Sequence, residues 1–218
     1  MEKYDMQKIE YKNLPISMKN METYGFSWIE FVTAIPAPLF VVTSYKANGK
    51  PNACLWSWSC FNGELAFLSG VNKANHMYQT IIERKEAVLN FPSAEIYPLC
   101  QKTIINNNYD DDEITMSGLT VEPASTVNAP RIKECFLNLE ARFLWEHEMR
   151  EGSNHVVLCF EILNVCINES HLDEAAQGRY NETGYLYNVH YPVNPEAFNG
   201  KAHDYIAIIR KYHDMGEY

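Results

Sequence analysis

The stretch LFVVTSYKANGKPNACLWSWSCFNGELAFLS, residues 39–69, decides the fold of this chain. Its first residues, 39–44, are rich in β-branched and aromatic side chains, which favours a strand. The dipeptides Asn48-Gly49 and Asn62-Gly63 are typical of tight hairpin turns. They divide the stretch into three apolar runs, so we predict a three-stranded antiparallel meander. Its middle strand contains NACLWSWSCF, residues 52–61.

The side chains of residues 52–61 would alternate between the two faces of that strand. One face would carry the bulky and sulfur-containing side chains, namely Cys54, Trp56, Trp58 and Cys60. The other face would carry Ala53, Leu55, Ser57, Ser59 and Phe61. We expect at least one tryptophan in the core, because indoles bury a large area. The serine hydroxyls would face either solvent or a bound ligand, and alternation alone does not decide between the two.

Further strands are predicted downstream of the meander. Residues 87–91 form an apolar run of strand length. Residues 136–145 and 155–167 are two longer runs joined by the polar loop 146–154, which indicates a second hairpin. Six or more antiparallel strands with few helices favour a small closed barrel, because closure removes exposed sheet edges. The predicted fold class is therefore mainly β.

The predicted helices are few and peripheral. Residues 76–86 have a helical spacing of apolar side chains, and Asn75 is placed to cap that helix. A second helix is predicted over residues 93–103, at the start of an irregular excursion that runs to residue 130. The pattern Ser27-Trp-Ile-Glu30 is a capping box and predicts a short N-terminal helix before the first strand.

Size and composition favour a single globular domain spanning residues 1–218. Hydrophobic residues make up 46% of the chain, and the sequence shows neither repeats nor low-complexity segments. The formal net charge of −10 disfavours nucleic acid as a partner, because that affinity depends on Lys and Arg neutralising phosphates. No apolar run is long enough for a membrane span, and the charged N-terminus does not look like a signal peptide. We therefore expect a cytoplasmic protein without membrane contact.

Several clusters of reactive residue types carry no predicted chemistry. The six cysteines lack the spacing of a metal site, and we interpret them as small buried thiols. The acidic run at 110–113 is interpreted as a solvated turn, because it lacks the alternating spacing of a calcium loop. His147 lies between Glu146 and Glu148, but neighbours on a strand point to opposite faces, so we predict a hairpin rim there and no metal site.

A weak phosphate-binding signal lies at residues 70–76, GVNKANH. The sequence contains neither Gly-x-Gly-x-x-Gly after a strand nor Gly-Lys-Ser/Thr, so neither a Rossmann site nor a P-loop is indicated. The predicted helix start near Asn75 would present free N–H groups, with Lys73 and His76 as nearby donors. A helix N-terminus of this kind favours an anion.

Short motifs follow one another in a defined order along the chain. They are Pro36-x-Pro-x-x-Val-Val-Thr-Ser44, Asn48-Gly49-x-x-Asn52-Ala53, Ser57-Trp58, the segment around Lys73, and Glu86-Ala-Val-Leu-Asn-Phe-Pro92. A further series occupies residues 118–140, from Gly-Leu-Thr-x-Glu-Pro-Ala to Leu139-Glu140. Taken in order, these motifs resemble those of the flavin reductase-like, FMN-binding split-barrel family, which includes the flavoredoxins. The resemblance covers roughly residues 33–168, as a core between an N-terminal helix and a C-terminal extension.

The resemblance implies a homodimeric split β-barrel that binds FMN non-covalently near the subunit interface. It also implies which residues would line the flavin, by side chain or backbone: Thr43, Ser44, Asn52, Ala53, Cys54, Ser57, Trp58 and Ser59. The residues that would meet the phosphate are Lys73, Asn75 and His76. A flavin ring needs flat apolar surface and a few polar partners, and the residue types named here supply both.

One departure from the family concerns nicotinamide use. Many flavin reductases show Gly-Asp-His at the opening of a later strand, whereas this chain has Gly152-Ser-Asn-His155. His155 would contact the nicotinamide, or it is a histidine at a strand edge. A second departure lies at the phosphate segment, where Asn75, His76 and Met77 replace the family's Lys or Arg followed by Thr, so the phosphate contacts would be redistributed.

The resemblance implies an FMN-binding oxidoreductase that passes electrons from NADH or NADPH, or from a reduced protein donor, to flavin or another acceptor. The sequence identifies no side chain as a catalytic acid or base. One alternative is a flavoredoxin-type electron carrier, which binds FMN and exchanges electrons with a redox protein partner without oxidising NAD(P)H. Another is a barrel without enzymatic activity that binds a different ligand.

Overall fold

The computed structural model describes residues 33–105, 107–172, 179–190 and 205–211, together with Gly216. The helix predicted at Ser27–Glu30 lies outside these residues. Within the described ranges, no helix combines the length and the apolar character needed to cross a membrane.

The described chain is built mainly of strands. In chain order these are β1 (Ala37–Pro38), β2 (Phe40–Tyr45), β3 (Pro51–Trp56), β4 (Ser59–Asn62), β5 (Leu65–Asn72), β6 (Glu86–Phe91), β7 (Val121–Pro123), β8 (Pro130–Ile132), β9 (Leu137–Glu148), β10 (His155–Ile167), β11 (Leu186–His190) and β12 (Tyr205–Ile208). The helices are α1 (His76–Arg84), α2 (Tyr97–Lys102) and α3 (Glu113–Met116), with 3-10 turns at Glu169–His171 and Asn181–Thr183. Seven of these strands form one sheet in the order β3-β2-β6-β9-β10-β5-β4. Its neighbouring strands pair antiparallel, which confirms the predicted fold class.

The two predicted hairpin turns are confirmed. Lys46 N–H donates to the Lys50 carbonyl at 2.9 Å and closes the first turn, in which Gly49 has φ +81°. Gly63 has φ +60° in the second turn, between β4 and β5. Glycine adopts this left-handed backbone without a steric penalty, which is why Asn-Gly marks both turns.

The middle strand of the predicted meander is not continuous, and that prediction was wrong. β3 ends at Trp56 and β4 begins at Ser59, with Ser57 and Trp58 between them. β3 pairs with β2, and β4 pairs with β5, at opposite ends of the strand order. A chain that serves both edges of one sheet must bend where it passes from one edge to the other, and this bend closes the barrel.

Side chains alternate along β3 as predicted, and both faces of the strand pack against apolar layers. Cys54 and Trp56 face the barrel interior, where the core includes Phe40, Leu68, Leu89 and Ile81 of α1. Ala53 and Leu55 face an outer cluster formed with the excursion, whose members include Cys100, Ile114, Leu119, Ile132 and Cys135. Trp56 is buried in the core, which confirms the expectation for at least one tryptophan.

Two helices are shorter than predicted, for local reasons. α1 ends at Arg84 because Lys85 takes a left-handed backbone conformation with φ +62° and β6 begins at the next residue. Asn75 occupies the predicted N-cap position, but its side chain makes no capping hydrogen bond. α2 begins at Tyr97, with a proline in its first turn, where the missing N–H costs no helical hydrogen bond.

The excursion between β6 and β9 is tied to the sheet by the carboxylate of Glu140. Glu140 is fully buried in β9 and accepts hydrogen bonds from the Ser125 N–H at 2.9 Å and the Thr126 N–H at 2.6 Å. Arg131 Nε donates to the same carboxylate at 2.8 Å. Burial opposes ionisation, but these hydrogen bonds together with the Thr126 hydroxyl lower the pKa of Glu140 to about 2.

The chain after β10 returns to the bend between β3 and β4. β11 pairs with β1 and β12 in a separate three-stranded sheet. The Leu39 N–H donates to the Leu186 carbonyl at 2.8 Å, which fixes β11 beside the start of β2. The sequence pattern did not predict this strand.

Candidate functional site

The bend at Ser57 and Trp58 is covered by β11. Ser57 is buried, and its hydroxyl oxygen accepts a hydrogen bond from Asn188 Nδ2 at 3.2 Å. Ser59 Oγ donates to the Ser57 carbonyl at 3.3 Å, and Trp56 Nε1 donates to the Trp58 carbonyl at 3.1 Å. The two serines, expected to face solvent or a ligand, are thus engaged by the protein at the bend.

His190 is a second residue of β11 that contacts the residues predicted to line the flavin. Its ring stacks on Trp58 with the centroids 5.6 Å apart and the planes 18° from parallel. His190 is buried and has φ +49°, a conformation that is uncommon for a residue with a side chain. Its N–H donates to Asn188 Oδ1 at 2.8 Å, which holds the two residues together.

Thr43 lies on the outer side of the sheet, within a buried polar network. Its hydroxyl donates to the Pro130 carbonyl and accepts a hydrogen bond from Asn90 Nδ2 at 2.9 Å. Asn90 Oδ1 in turn accepts from the Ile132 N–H at 2.9 Å. The Thr43 side chain therefore joins β2 to β6 and β8.

Ser44 and Asn52 face each other across β2 and β3, on the side of the sheet where α1 packs. Ser44 Oγ lies 2.6 Å from Thr80 Oγ1 in α1, so the two hydroxyls share a hydrogen bond. Asn52 is buried, and its Oδ1 has no hydrogen-bond partner among the described residues. A buried carbonyl oxygen without a donor is costly, so this oxygen is a place where a ligand donor would be favourable.

Ala53 and Cys54 occupy the next two positions of β3 and face opposite ways. The Ala53 N–H donates to Glu113 Oε2 at 2.6 Å. The Cys54 thiol faces the inner layer, and burial, with a smaller contribution from the Glu113 charge, raises the pKa of Cys54 to about 12. The thiol is therefore protonated at neutral pH and is a weak nucleophile.

The predicted phosphate segment carries a cation that already has a partner. Lys73 Nζ lies 3.0 Å from Glu148 Oε1, with both side chains partly exposed. Glu148 Oε2 also accepts the Gly152 N–H at 2.9 Å. The hydrogen bond to Glu148 raises the pKa of Lys73, and the same bond lowers the pKa of Glu148. A phosphate at Lys73 would have to compete with this carboxylate.

His76 and Asn75 lie at the start of α1. His76 Nδ1 is 3.1 Å from Asn107 Oδ1, and its ring meets that of Tyr109 edge to face, with the centroids 6.4 Å apart. Asn75 is exposed. The helix start thus has the N–H groups and the histidine that the prediction required, but His76 is held by the excursion.

His155 is brought to the same segment, which the sequence did not show. It opens β10 opposite Asn72, and its Nε2 lies 3.5 Å from Asn72 Nδ2. The Lys73 N–H donates to the Asn154 carbonyl at 2.9 Å. The predicted nicotinamide residue and the predicted phosphate lysine therefore lie at one end of the sheet.

Glu146 and Glu148 both contact residues at or near α1, whereas the His147 ring packs against a residue of its own strand. Tyr78 donates its hydroxyl to Glu146 Oε1 at 3.1 Å. The His147 ring packs against Trp145, with the centroids 4.9 Å apart. This confirms that strand neighbours at the rim point to opposite faces. No cluster of His, Cys, Asp and Glu that could hold a metal occurs in the described ranges.

The acidic run is not wholly solvated, and the prediction was wrong for Glu113. Glu113 and Lys46 are both buried, with Lys46 Nζ 2.8 Å from Glu113 Oε1. Burial raises the pKa of Glu113, and the hydrogen bond from Lys46 opposes that effect. No local pattern predicts the pair, because the two residues lie in separate segments of the chain.

The cysteines are free thiols, but they are not uniformly buried. Cys100, Cys135 and Cys159 are buried, as predicted. Cys54 and Cys166 are partly exposed, and Cys60 is exposed. The interpretation as buried thiols was therefore wrong for Cys60, whose strand β4 lies at an edge of the sheet.

The residues on the inner face of β3 and the start of α1 fit a flavin nucleotide in chemical type. Asn52 offers a buried acceptor without a partner, and ribityl hydroxyls and the ring N–H are donors. Trp58 offers a flat apolar surface, and the α1 start offers N–H groups for a phosphate.

A family model described as the flavin reductase like domain matches residues 32–189, which is more than half of the chain. The chain therefore belongs to the flavin reductase-like family. None of the curated protein sequences compared matches it.

Solved structures share the fold at low sequence identity. Flavoredoxin of Desulfovibrio vulgaris (Miyazaki F) superposes with a TM-score of 0.68 at 21% identity, covering 83% of this chain and 90% of that one. A provisionally assigned flavin reductase with a split-barrel domain from Shewanella frigidimarina gives 0.75 at 14% identity, covering 99% and 100%. An NADH:FAD oxidoreductase of Streptomyces globisporus gives 0.53 at 15% identity, covering 62% and 77%. The described fold is thus that of a split barrel, as the resemblance implied.

Proposed function

We propose that the protein binds FMN and acts as a flavin-dependent oxidoreductase, passing electrons from NAD(P)H or a reduced protein donor to flavin or another acceptor. The observation that carries the proposal is the buried Asn52 oxygen, which lacks a hydrogen-bond partner within the described residues. It lies on β3 of a flavin reductase-like domain. Bound FMN supplies the hydride and electron transfer, while the protein supplies binding, orientation and tuning.

Different side chains would contact different parts of the cofactor. Asn52 would accept a hydrogen bond from a ribityl hydroxyl or the ring N–H, beside the hydroxyls of Ser44 and Thr80. Trp58 would pack against the ring, held by His190 on its other side. Lys73 would bind the phosphate after releasing Glu148.

Use of NAD(P)H is proposed through His155, which lies beside the Lys73 segment. The shared fold of an oxidoreductase that takes NADH supports this proposal. A flavoredoxin-type carrier is the second candidate, and a specific observation favours it. Glu146 and Glu148 lie at the same end of the sheet as His155, and two carboxylates repel the phosphates of a dinucleotide.

Two measurements test the proposal. The first is a titration of purified protein into FMN, in which quenching of flavin fluorescence is expected. If no quenching occurs, the remaining hypothesis is a barrel without enzymatic activity that binds a different ligand. The second mixes the FMN-loaded protein with NADH or NADPH without oxygen and follows bleaching of the flavin's visible band. Rapid bleaching supports the reductase. Absence of bleaching, with reduction by a low-potential protein donor, supports the carrier.

We also propose that the protein is a homodimer. Exposed apolar side chains on and beside the β9–β10 hairpin support this, namely Leu144, Trp145, Met149, Leu163 and Val165. Large apolar side chains exposed on one hairpin favour contact with another protein surface. Sedimentation equilibrium should give twice the mass of one chain, and Trp145→Glu should shift the protein towards monomer. A monomeric wild-type protein at micromolar concentration would refute the proposal.

A further inference from the structure

The buried ion pair of Lys46 and Glu113 is placed where it can control the edge of β3. Both side chains are inaccessible to solvent. Lys46 Nζ forms an ion pair with Glu113 Oε1 at 2.8 Å, and it donates hydrogen bonds to the Asn108 carbonyl at 3.1 Å and the Asp111 carbonyl at 3.0 Å. Two carbonyl oxygens and one carboxylate oxygen thus lie against the ammonium, which has no acceptor capacity of its own. Glu113 is left with its second oxygen for another partner.

That second oxygen binds the strand proposed to hold the cofactor. Lys46 N–H bonds to the Lys50 carbonyl, and alternation along the ladder then turns the Ala53 N–H away from β2. Among the described residues, β3 pairs with β2 alone, so the Ala53 N–H lies on an open edge. Glu113 Oε2 accepts this N–H at 2.6 Å.

The pair also links the excursion to α1. The Lys46 carbonyl accepts a hydrogen bond from Arg84 Nη2 at 2.8 Å, and the Tyr45 carbonyl accepts one from Arg84 Nε at 3.2 Å. The end of β2 is therefore held from both sides, by α1 and by the loop that carries Glu113. Asn52 and Cys54, the two neighbours of Ala53, point inward from the edge that this arrangement fixes.

We propose that Glu113 is a positioning residue for the flavin: its carboxylate, neutralised by Lys46, holds the Ala53 N–H and so sets the position of the β3 residues that would meet the cofactor. This inference rests on the proposed function. Removing Glu113 alone would leave a buried, unpaired ammonium, which is strongly destabilising. The test therefore needs variants in which both charges change together.

Two double variants isolate the hydrogen bond to Ala53. Lys46→Met with Glu113→Gln removes both charges but keeps an amide oxygen that can accept the Ala53 N–H. Lys46→Met with Glu113→Met has nearly the same shape and no acceptor. We expect the first to bind FMN within about twofold of wild type and the second to bind about tenfold more weakly, the size of one hydrogen bond to a buried acceptor. The Ala53 amide should exchange quickly with solvent only in the second.

Two further variants guard against a purely structural explanation. Glu113→Asp keeps the charge beside Lys46 but withdraws the carboxylate from Ala53, so it should fold and bind FMN several-fold more weakly. Glu140→Gln disturbs a different buried carboxylate, two strands from β2, and should lose stability while keeping FMN affinity within about twofold. The visible absorption band of bound FMN should move in the Glu113→Asp variant and stay in place in the Glu140→Gln variant.

The outcomes separate this inference from the proposed function. If wild-type protein fails to bind FMN, the proposed function falls and this inference with it. If wild type binds FMN and both double variants bind it equally well, or Glu113→Asp binds it as wild type does, only the role of Glu113 is overturned. Weaker binding in the Glu113→Met double variant and in Glu113→Asp supports it.

Discussion

Glu140 makes the stability of this fold depend on acid pH by an amount that the structure allows us to work out. The hydrogen bonds described above lower the pKa of Glu140 from its ordinary value of 4.5 to about 2. The unfolded chain therefore takes up a proton at higher pH than the folded chain does. The resulting stabilisation is fully present above pH 4.5 and is lost as the pH falls through about 2. The difference corresponds to about 3 kcal/mol of unfolding free energy.

The assay is urea unfolding followed by tryptophan fluorescence, at several pH values between 7 and about 2.5. For wild-type protein, the part of the acid destabilisation due to Glu140 should approach about 3 kcal/mol towards the lower end of this range. Glu140→Gln cannot ionise, so it should be less stable than wild type by about 2–4 kcal/mol at neutral pH. The gap between the two proteins should narrow as the pH falls.

A constant gap would refute the reasoning. If Glu140→Gln and wild type lose stability in parallel from pH 7 to about 2.5, the Glu140 carboxylate does not titrate with a lowered pKa in the folded protein. Arg131→Met is the matched variant, because it removes the two hydrogen bonds from the Arg131 guanidinium to Glu140 and leaves those of Ser125 and Thr126. It should raise the pKa of Glu140 and move the loss of stability to higher pH.

Two further predictions concern the candidate site, and a third concerns the exposed thiol of Cys60. Lys73→Ala should weaken the binding of FMN by roughly tenfold and that of riboflavin hardly at all, because riboflavin lacks the phosphate. Fluorescence titrations compare the two ligands, and equal weakening would contradict the assignment of Lys73 to the phosphate. Asn188→Ala removes the donor to Ser57 and should lower the unfolding free energy by about 1 kcal/mol. Amide exchange in β11 should become faster in this variant, and unchanged exchange would argue against a stabilising role for the hydrogen bond. Cys60→Ser should remove the fastest phase of reaction with an aromatic disulfide reagent at pH 8, since Cys60 is exposed, whereas the pKa of about 12 keeps Cys54 unreactive; a fast phase that survives in Cys60→Ser would place the reactive thiol elsewhere.

The local parts of the fold could be predicted because their causes are local. Asn48-Gly49 and Asn62-Gly63 specify their hairpins through the backbone freedom of glycine at the turn. The two faces of β3 follow from the alternation of side chains. The bend at Ser57 could not be predicted, because it results from pairing with β2 on one side and β5 on the other. No window of ten residues contains that information.

The residue types of the candidate site could be predicted from the sequence, but the side chains that contact those residues could not. Asn52 and Ser44 follow from the ordered motifs, and the structure places them opposite each other. Asn188 contacts Ser57 from 131 positions further along the chain, in a tail whose pattern indicates no strand. The carboxylate beside Lys73 was missed for the same reason, since Glu148 reaches it only when β9 is in place.

The segment from β3 to β4 supplies both edge strands of the sheet, and this has a consequence for the order of folding. The β2–β3 and β4–β5 hairpins join residues that are near in sequence, so each can form early and independently. The edge strands β3 and β4 come together only after β9 and β10 have been added to the sheet between the two hairpins. β11, which covers the bend between β3 and β4, leaves the ribosome after all seven strands of the sheet. During synthesis the nascent barrel therefore exposes the bend at Ser57 and Trp58 until the C-terminal strand arrives.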